Sequence, residues 1–252
     1  MHLSASNSVL LEICAVSLDY AMAAQCAGAN RIELCRDLTC GGLTPGLRLM
    51  EAAREHLQIP IQVLIRPRPG DFCYSAQEFW AMRKDIQNAK DLKMDGVVVG
   101  VLDQNAQVDV TRTRELVEFA HPLPVTFHRA FDETHSWRDS LEAVIQTGAQ
   151  RLLTSGCSPK VAEGLPTLTG LVREAKDRIV IMPGGGITPD NVVRVVRATS
   201  AREIHGSLLT PELSIIEEGA NRNLQTDLYY HQVLKVVSLL RSIETQAEEP
   251  NS

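Results

Sequence analysis

Apolar runs of strand length recur along the chain, and most are followed by a stretch whose apolar positions fall at helical spacing. The strand-like runs are VLLEICAV (9–16), RIELC (31–35), IQVLIRP (61–67), GVVVGVL (96–102), PVTFHRA (124–130), RLLTSG (151–156), IVIMPGGG (179–186) and EIHGS (203–207). Between and after them lie DYAMAAQCAGA, AQEFWAMRKDIQNAKDL, VTRTRELVEFA, DSLEAVIQTGA, PDNVVRVVRAT and DLYYHQVLKVVSLLRSIETQ, which have helical character. Small-residue turns such as AGANRIEL, KMDGVVV and TGAQRLL supply the helix C-caps and the short connections into the next strand. Strands alternating with helices imply a parallel sheet, and eight such units predict an α/β fold of the TIM (β/α)8 type. A doubly wound open sheet is the main competitor, but no G-x-G-x-x-G follows the first strand. The expected organisation is a single barrel domain over 9–248, flexible termini at 1–8 and 249–252, and a long loop over 208–225.

Composition narrows what such a barrel does. The 252 residues are 44% hydrophobic and 22% charged, with a net charge of −6 and no basic block. Nucleic acid is therefore not an expected partner. No apolar run approaches the roughly 18–20 residues of a membrane helix, and the start MHLSASNS lacks the apolar core of a signal peptide. A cytoplasmic protein is expected, with no membrane partner and with its six cysteines (14, 26, 35, 40, 73 and 157) as reduced thiols. None forms a CxxC pair, which argues against a zinc ribbon or a thioredoxin-type motif.

Candidate chemistry gathers where strands end, the active face of barrels of this type. Strand 1 carries Glu12 and Cys14, and strand 2 carries Glu33 and Cys35; each pair shares a face because strand side chains alternate. Those faces are expected to point into the barrel, toward Arg66 and His128. Strand 3 runs out through Arg66, Arg68 and Asp71, and strand 5 through His128, Arg129 and Asp132. The Gly184–Gly185–Gly186 turn allows positive φ and close backbone approach to a ligand, and strand 8 ends in His205 and Ser207. Loops after strands 7 and 8 are the usual phosphate site of these barrels. His128 suits neutral-pH proton transfer, Arg66 suits stabilisation of an oxyanion, and Glu12 or Glu33 becomes a base if burial raises its pKa. The remaining residues of these ends would bind substrate. The competing account is a structural ion-pair network of Glu12, Glu33, Arg66 and His128.

The motifs LLEICAVS, GANRIELC, GGLTPG, IRPRPGDFCYS, VTFHRAFD, RLLTSGCSPKVAEGL, IMPGGGI and EIHGS stand in one colinear order over about 9–207. In that order they resemble the CutC family of copper-homeostasis proteins. The resemblance implies a TIM barrel, an intracellular setting and a homo-oligomer, a dimer or tetramer. It also implies copper, as Cu(I), bound by the cysteines of the first two strands, Cys14 and Cys35. Soft Cu(I) prefers thiolate ligands, and neighbouring strands bring two such groups close. Strand 8 departs from the family pattern: Leu208 follows HGS where a small Ala is usual, which is expected to narrow the mouth or reshape the last loop. Two functional readings stand side by side. One is a Cu(I)-binding homeostasis protein; the other is an enzyme of lyase, isomerase or hydrolase type acting on a small anionic or phosphorylated molecule at the mouth.

Overall fold

The structure is a computed structural model, and it describes residues 8–209 and 222–248. Eight parallel strands run β1 (Leu10–Ala15), β2 (Arg31–Leu34), β3 (Ile61–Leu64), β4 (Gly96–Val99), β5 (Val125–Phe127), β6 (Arg151–Thr154), β7 (Val180–Pro183) and β8 (Glu203–Gly206). Each lies within a run expected from the apolar pattern. The helices are α1 (Leu18–Cys26), α2 (Leu47–His56), α3 (Ala76–Asp91), α4 (Val110–Ala120), α5 (Trp137–Thr147), α6 (Leu165–Ala175), α7 (Val192–Thr199) and α8 (Arg222–Glu248). Helix starts follow local chemistry. Ser17, Asp109 and Ser136 accept backbone N–H bonds in the first turns of α1, α4 and α5. Ser75 and Glu78 form a reciprocal capping box on α3.

The strands follow the order β7-β6-β5-β4-β3-β2-β1-β8, so seven ladders join eight strands and the cylinder is nearly closed. At the β7/β8 seam the chains approach without a ladder among the described residues: a Cβ on Gly184 would lie 3.1 Å from the His205 carbonyl. The main apolar core lies between the sheet and the helices, where Ile13, Ile32, Val63, Val97 and Phe127 meet Met50, Met82, Leu116 and Leu141. A second, smaller cluster of Cys14, Cys35, Leu64 and Val98 fills the barrel interior.

Register sets what faces what inside. Glu12 pairs with Arg31 across β1 and β2, Cys14 with Glu33, and Glu12 with His205 across β1 and β8. The repeated acid-and-thiol motifs are therefore staggered by two residues, which puts Glu12 one interior layer deeper than Glu33. One boundary differs from expectation. Residues 222–225, expected in a loop, begin helix α8, while 210–221 lie outside the described residues. The expected termini 1–8 and 249–252 also fall outside them, apart from Ser8. Leu208 is buried at φ +53 beside a groove between the loop after β7 and α8, and does not line the barrel mouth, so it does not narrow it.

Candidate functional site

The floor of the barrel is a continuous chain of charges. Arg31 donates through Nε to Glu12 and through Nη2 to Glu203, and Arg151 Nε donates to Glu203 at 2.9 Å. The other oxygen of Glu12 lies 2.7 Å from His205 Nδ1. Burial alone would raise the Glu12 pKa, but the His205 hydrogen bond and the Arg31 charge overcome it and hold the carboxyl at about 2. Glu12 is thus a permanent anion locked to two partners. The expected contacts of Glu12 with Arg66 and His128 are replaced by contacts with Arg31 and His205.

Above this floor stands the thiol pair. Cys14 Sγ and Cys35 Sγ are 3.0 Å apart and both side chains are buried. The Cys14 pKa is pushed well above the ordinary thiol value by its bond to Cys35, by burial and by the nearby Glu33 carboxyl. Glu33 itself is raised, chiefly by burial, and its Oε2 has no hydrogen-bond partner among the described residues. Ligand atoms of Cys14, Glu33 and His205 all lie within 4.8 Å of one another, so one cation can reach all three. His205 is also raised: burial opposes its charge, but Glu33 and the bond to Glu12 favour it.

The mouth is a cavity of about 260 Å³ at the C-terminal ends of the strands, bordered below by Cys14, Glu33 and His205. Arg66 enters it from the end of β3 and is buried. Its Nη1 donates to the carbonyls of Cys40 (2.8 Å) and Gly42 (3.2 Å), and its Nη2 to that of Gly70 (2.7 Å). Its Nε is buried without a partner among the described residues, and the guanidinium lies 4.7 Å from the centre of the Phe72 ring. His128 packs against the same ring, 5.0 Å between centroids. Its Nδ1 accepts from Ala130 N–H at 3.1 Å, while Nε2 is buried and unpartnered. Burial and the Arg66 charge lower the His128 pKa to about 3. The ring is neutral, so its proton sits on Nε2, and it is a weak base at neutral pH.

The remaining expected site residues divide between the cavity and its braces. Arg129, Gly185, Gly186, His205 and Ser207 border the cavity. Gly184 lies beneath it against Leu153 and His205. Arg129 donates to Asp132 (2.8 Å) and to Ser155 Oγ (3.0 Å). Asp132 also accepts from Thr154, the Ser155 and Cys157 amides and Ser155 Oγ, which makes it the anchor of the loop after β6. Arg68 is spent on Glu78, on Asp71 (2.9 Å) and on three loop carbonyls, stacked 5.3 Å above Tyr74. Arg68 and Asp71 form a rim brace and do not border the cavity.

Residues that the chemistry-bearing motifs do not single out also shape the mouth. Gly100 is one: a Cβ there would lie 2.3 Å from the His128 ring, so only glycine leaves that seat. Its signal is present in GVVVGVL, where glycines stand at 96 and 100 on one strand face. Phe72, which packs against both Arg66 and His128, sits in a loop whose path has no local period.

A family model for the CutC family matches residues 9–210. The chain is 44% identical to a copper homeostasis protein cutC homolog of Homo sapiens, covering 81% of this chain and 74% of that protein. It is 47% identical to a family protein CutC of Xanthomonas campestris pv. campestris, covering 80% and 84%. Among solved structures, a putative copper homeostasis protein CutC from Streptococcus agalactiae superposes with a TM-score of 0.75 at 33% identity, covering 79% of this chain and 98% of that one.

Proposed function

The chain belongs to the CutC family, and on that premise we propose that it binds Cu(I) in a copper-homeostasis role, with Cys14 and Cys35 as the primary ligands. The observation that carries this reading is the buried thiol pair, 3.0 Å between sulfurs, with Glu33 and His205 at its edge. Two soft sulfurs select Cu(I) over harder cations. His205 supports the set: Nδ1 is engaged by Glu12, which fixes the ring, and Nε2, once the metal displaces its proton, is the nitrogen left to offer a lone pair. Copper here is cargo; its role is to be held and passed on.

The environment also says how the site would discriminate between loaded and free states. Without metal, the Cys14 proton is retained, because the bond to Cys35, burial and Glu33 disfavour a thiolate. Binding therefore releases protons, and the metal supplies the charge that stabilises the thiolate. A reduced compartment is part of the proposal, since it keeps the pair as thiols. So is a homo-oligomer, which light scattering on the purified chain tests directly.

The test of the copper site is a Cu(I) titration against a strong competing chelator under anaerobic conditions. Wild type is expected to take one Cu(I), and Cys14→Ser/Cys35→Ser to lose at least about a hundredfold in affinity, as two soft ligands are removed. Circular dichroism checks that the double variant folds. Equal affinity in the two proteins overturns the assignment.

A further inference from the structure

The copper reading gives no part to the rim between β7 and β8. The mouth cavity meets a second cavity of about 340 Å³ there, and Gly186 and Ser207 border both. Cationic side chains gather at this junction. Arg129 borders the mouth, Lys235 of α8 borders the second cavity, and the Lys160 stem lies over Gly186, where a Cβ would be 3.7 Å from its Cγ. We propose that the junction binds the phosphoryl group of a small phosphate monoester, with the carbon skeleton of the ester in the mouth cavity.

The loop after β7 is built to present a donor. Gly185 and Gly186 hold positive φ, +93 and +86, a conformation that glycine adopts without strain. The Gly185 carbonyl accepts from Val161 N–H and the Gly186 carbonyl from Asn191 Nδ2, each at 2.8 Å, so the loop is pinned from behind. In a trans peptide plane the N–H points opposite to the carbonyl, and the Gly186 N–H therefore faces away from Val161. It has no acceptor among the described residues, and Gly186 is exposed, so a ligand can reach it. Arg129 lies flat against Gly185, where a Cβ would come within 3.0 Å of its guanidinium carbon. Its Nε is bonded to Asp132 and its Nη2 to Ser155 Oγ, while Nη1 has no acceptor among the described residues. Across the junction, the Ser207 carbonyl accepts from the Tyr229 hydroxyl at 3.0 Å, which fixes the backbone that carries the Ser207 side chain.

Charge selects phosphate over carboxylate. Arg129 is already balanced by Asp132, so it contributes a donor and little net charge. Lys160 and Lys235 are exposed and have no acidic partner among the described residues. Two uncompensated cations match the charge of about −1.5 to −2 on a phosphate group at neutral pH better than the single charge of a carboxylate. Asp190 is the one acid bordering the second cavity, and its exposure lets solvent weaken its repulsion. The donors arrive from β5, the loops after β6 and β7, β8 and α8, an arrangement suited to three terminal oxygens on a tetrahedral centre. Inward of the junction, the mouth offers about 260 Å³ walled by Leu38, Leu64, Phe72 and Leu153. That is roughly the volume of nine waters, room for a short carbon skeleton. None of these groups is a proposed copper ligand, and copper is not needed for the phosphate to bind.

The experiment is isothermal titration of the metal-free full chain, at matched ionic strength, with glycerol 3-phosphate and inorganic phosphate against acetate and glycerol. Saturable one-to-one binding of both phosphates is expected, the ester more tightly, with no saturable binding of acetate or glycerol. Affinity should fall about tenfold in Lys160→Ala/Lys235→Ala, which removes two exposed charges and leaves the core intact. Lys84→Ala removes one such charge from α3, away from both cavities, and should bind as wild type does. Independently of any variant, the Gly186 amide resonance of ¹⁵N-labelled wild type should shift with the same saturation curve. Absence of saturable phosphate binding, acetate bound as tightly as the ester, inorganic phosphate bound more tightly than the ester, equal affinity in wild type and the double variant, or a Gly186 amide that does not shift overturns the proposal.

Discussion

At the floor of the barrel, Glu12, Arg31, Glu203 and Arg151 are joined in a continuous chain of ion pairs, and His205 closes it from above. At the mouth, Arg66, His128 and Glu33 share one cavity, yet each keeps a buried polar atom without a partner. The same residue types thus do opposite things a few residues apart along the same strands. Where every charge is matched, the arrangement is self-sufficient and serves the fold. Where donors are left over, the fold holds groups for something else to complete.

The comparison breaks most sharply at the floor. Glu12→Ala leaves Arg31 Nε and His205 Nδ1 buried without their anion, and breaking one side of a buried pair costs about 3–5 kcal/mol. Urea denaturation measures this; a loss below about 1 kcal/mol would mean the floor is not a matched network.

An intermediate effect is expected from His128, and it depends on pH. Its folded pKa of about 3 lies below the ordinary histidine value of 6.5. The unfolded chain therefore binds the proton more readily. The contribution of neutral His128 is complete above pH 6.5 and is lost as pH falls from there through about 3. The loss amounts to about 1.4 kcal/mol per pH unit within that window, about 2 kcal/mol by pH 5. His128→Asn should flatten this limb in denaturation curves taken between neutral pH and about pH 5, above the ordinary carboxylate value of 4.5, where Glu12, held at about 2 in the folded protein, is ionised folded and unfolded alike. A limb equally steep in the variant would place the acid sensitivity elsewhere.

The smallest effect belongs to Arg68, two residues from Arg66 but spent on half-exposed partners. Arg68→Ala should change stability by no more than about 1 kcal/mol in the same denaturation assay. A larger loss would show that the rim brace carries the loop above the mouth.

Much of this was legible in the residues. Strict alternation placed Glu12, Cys14, Glu33 and Cys35 in the interior, and the eight apolar runs located all eight strands. What alternation cannot provide is relative register. The two-residue stagger between β1 and β2 decides that Glu12 meets Arg31 and that Cys14 meets Glu33, and it follows from closing the sheet around its full circumference. Arg66 and Arg68 show the same limit. Both leave one strand end, and only the path of the following loop sends one inward over Phe72 and the other outward over Tyr74. His205, read as a substrate ligand from its place at a strand end, joins the thiol layer because β8 pairs with β1.

The seam between β7 and β8 gives the barrel an uneven stiffness. Cys14 and Glu33 stand on strands clamped by ladders on both sides, whereas His205 stands on a strand with a ladder on one side only. Small lateral displacements of the cylinder wall are therefore concentrated at β8. The Glu12 bond ties that imidazole back to β1, across the one ladder that β8 keeps, so the side chain nearest the seam is held from the closed side alone.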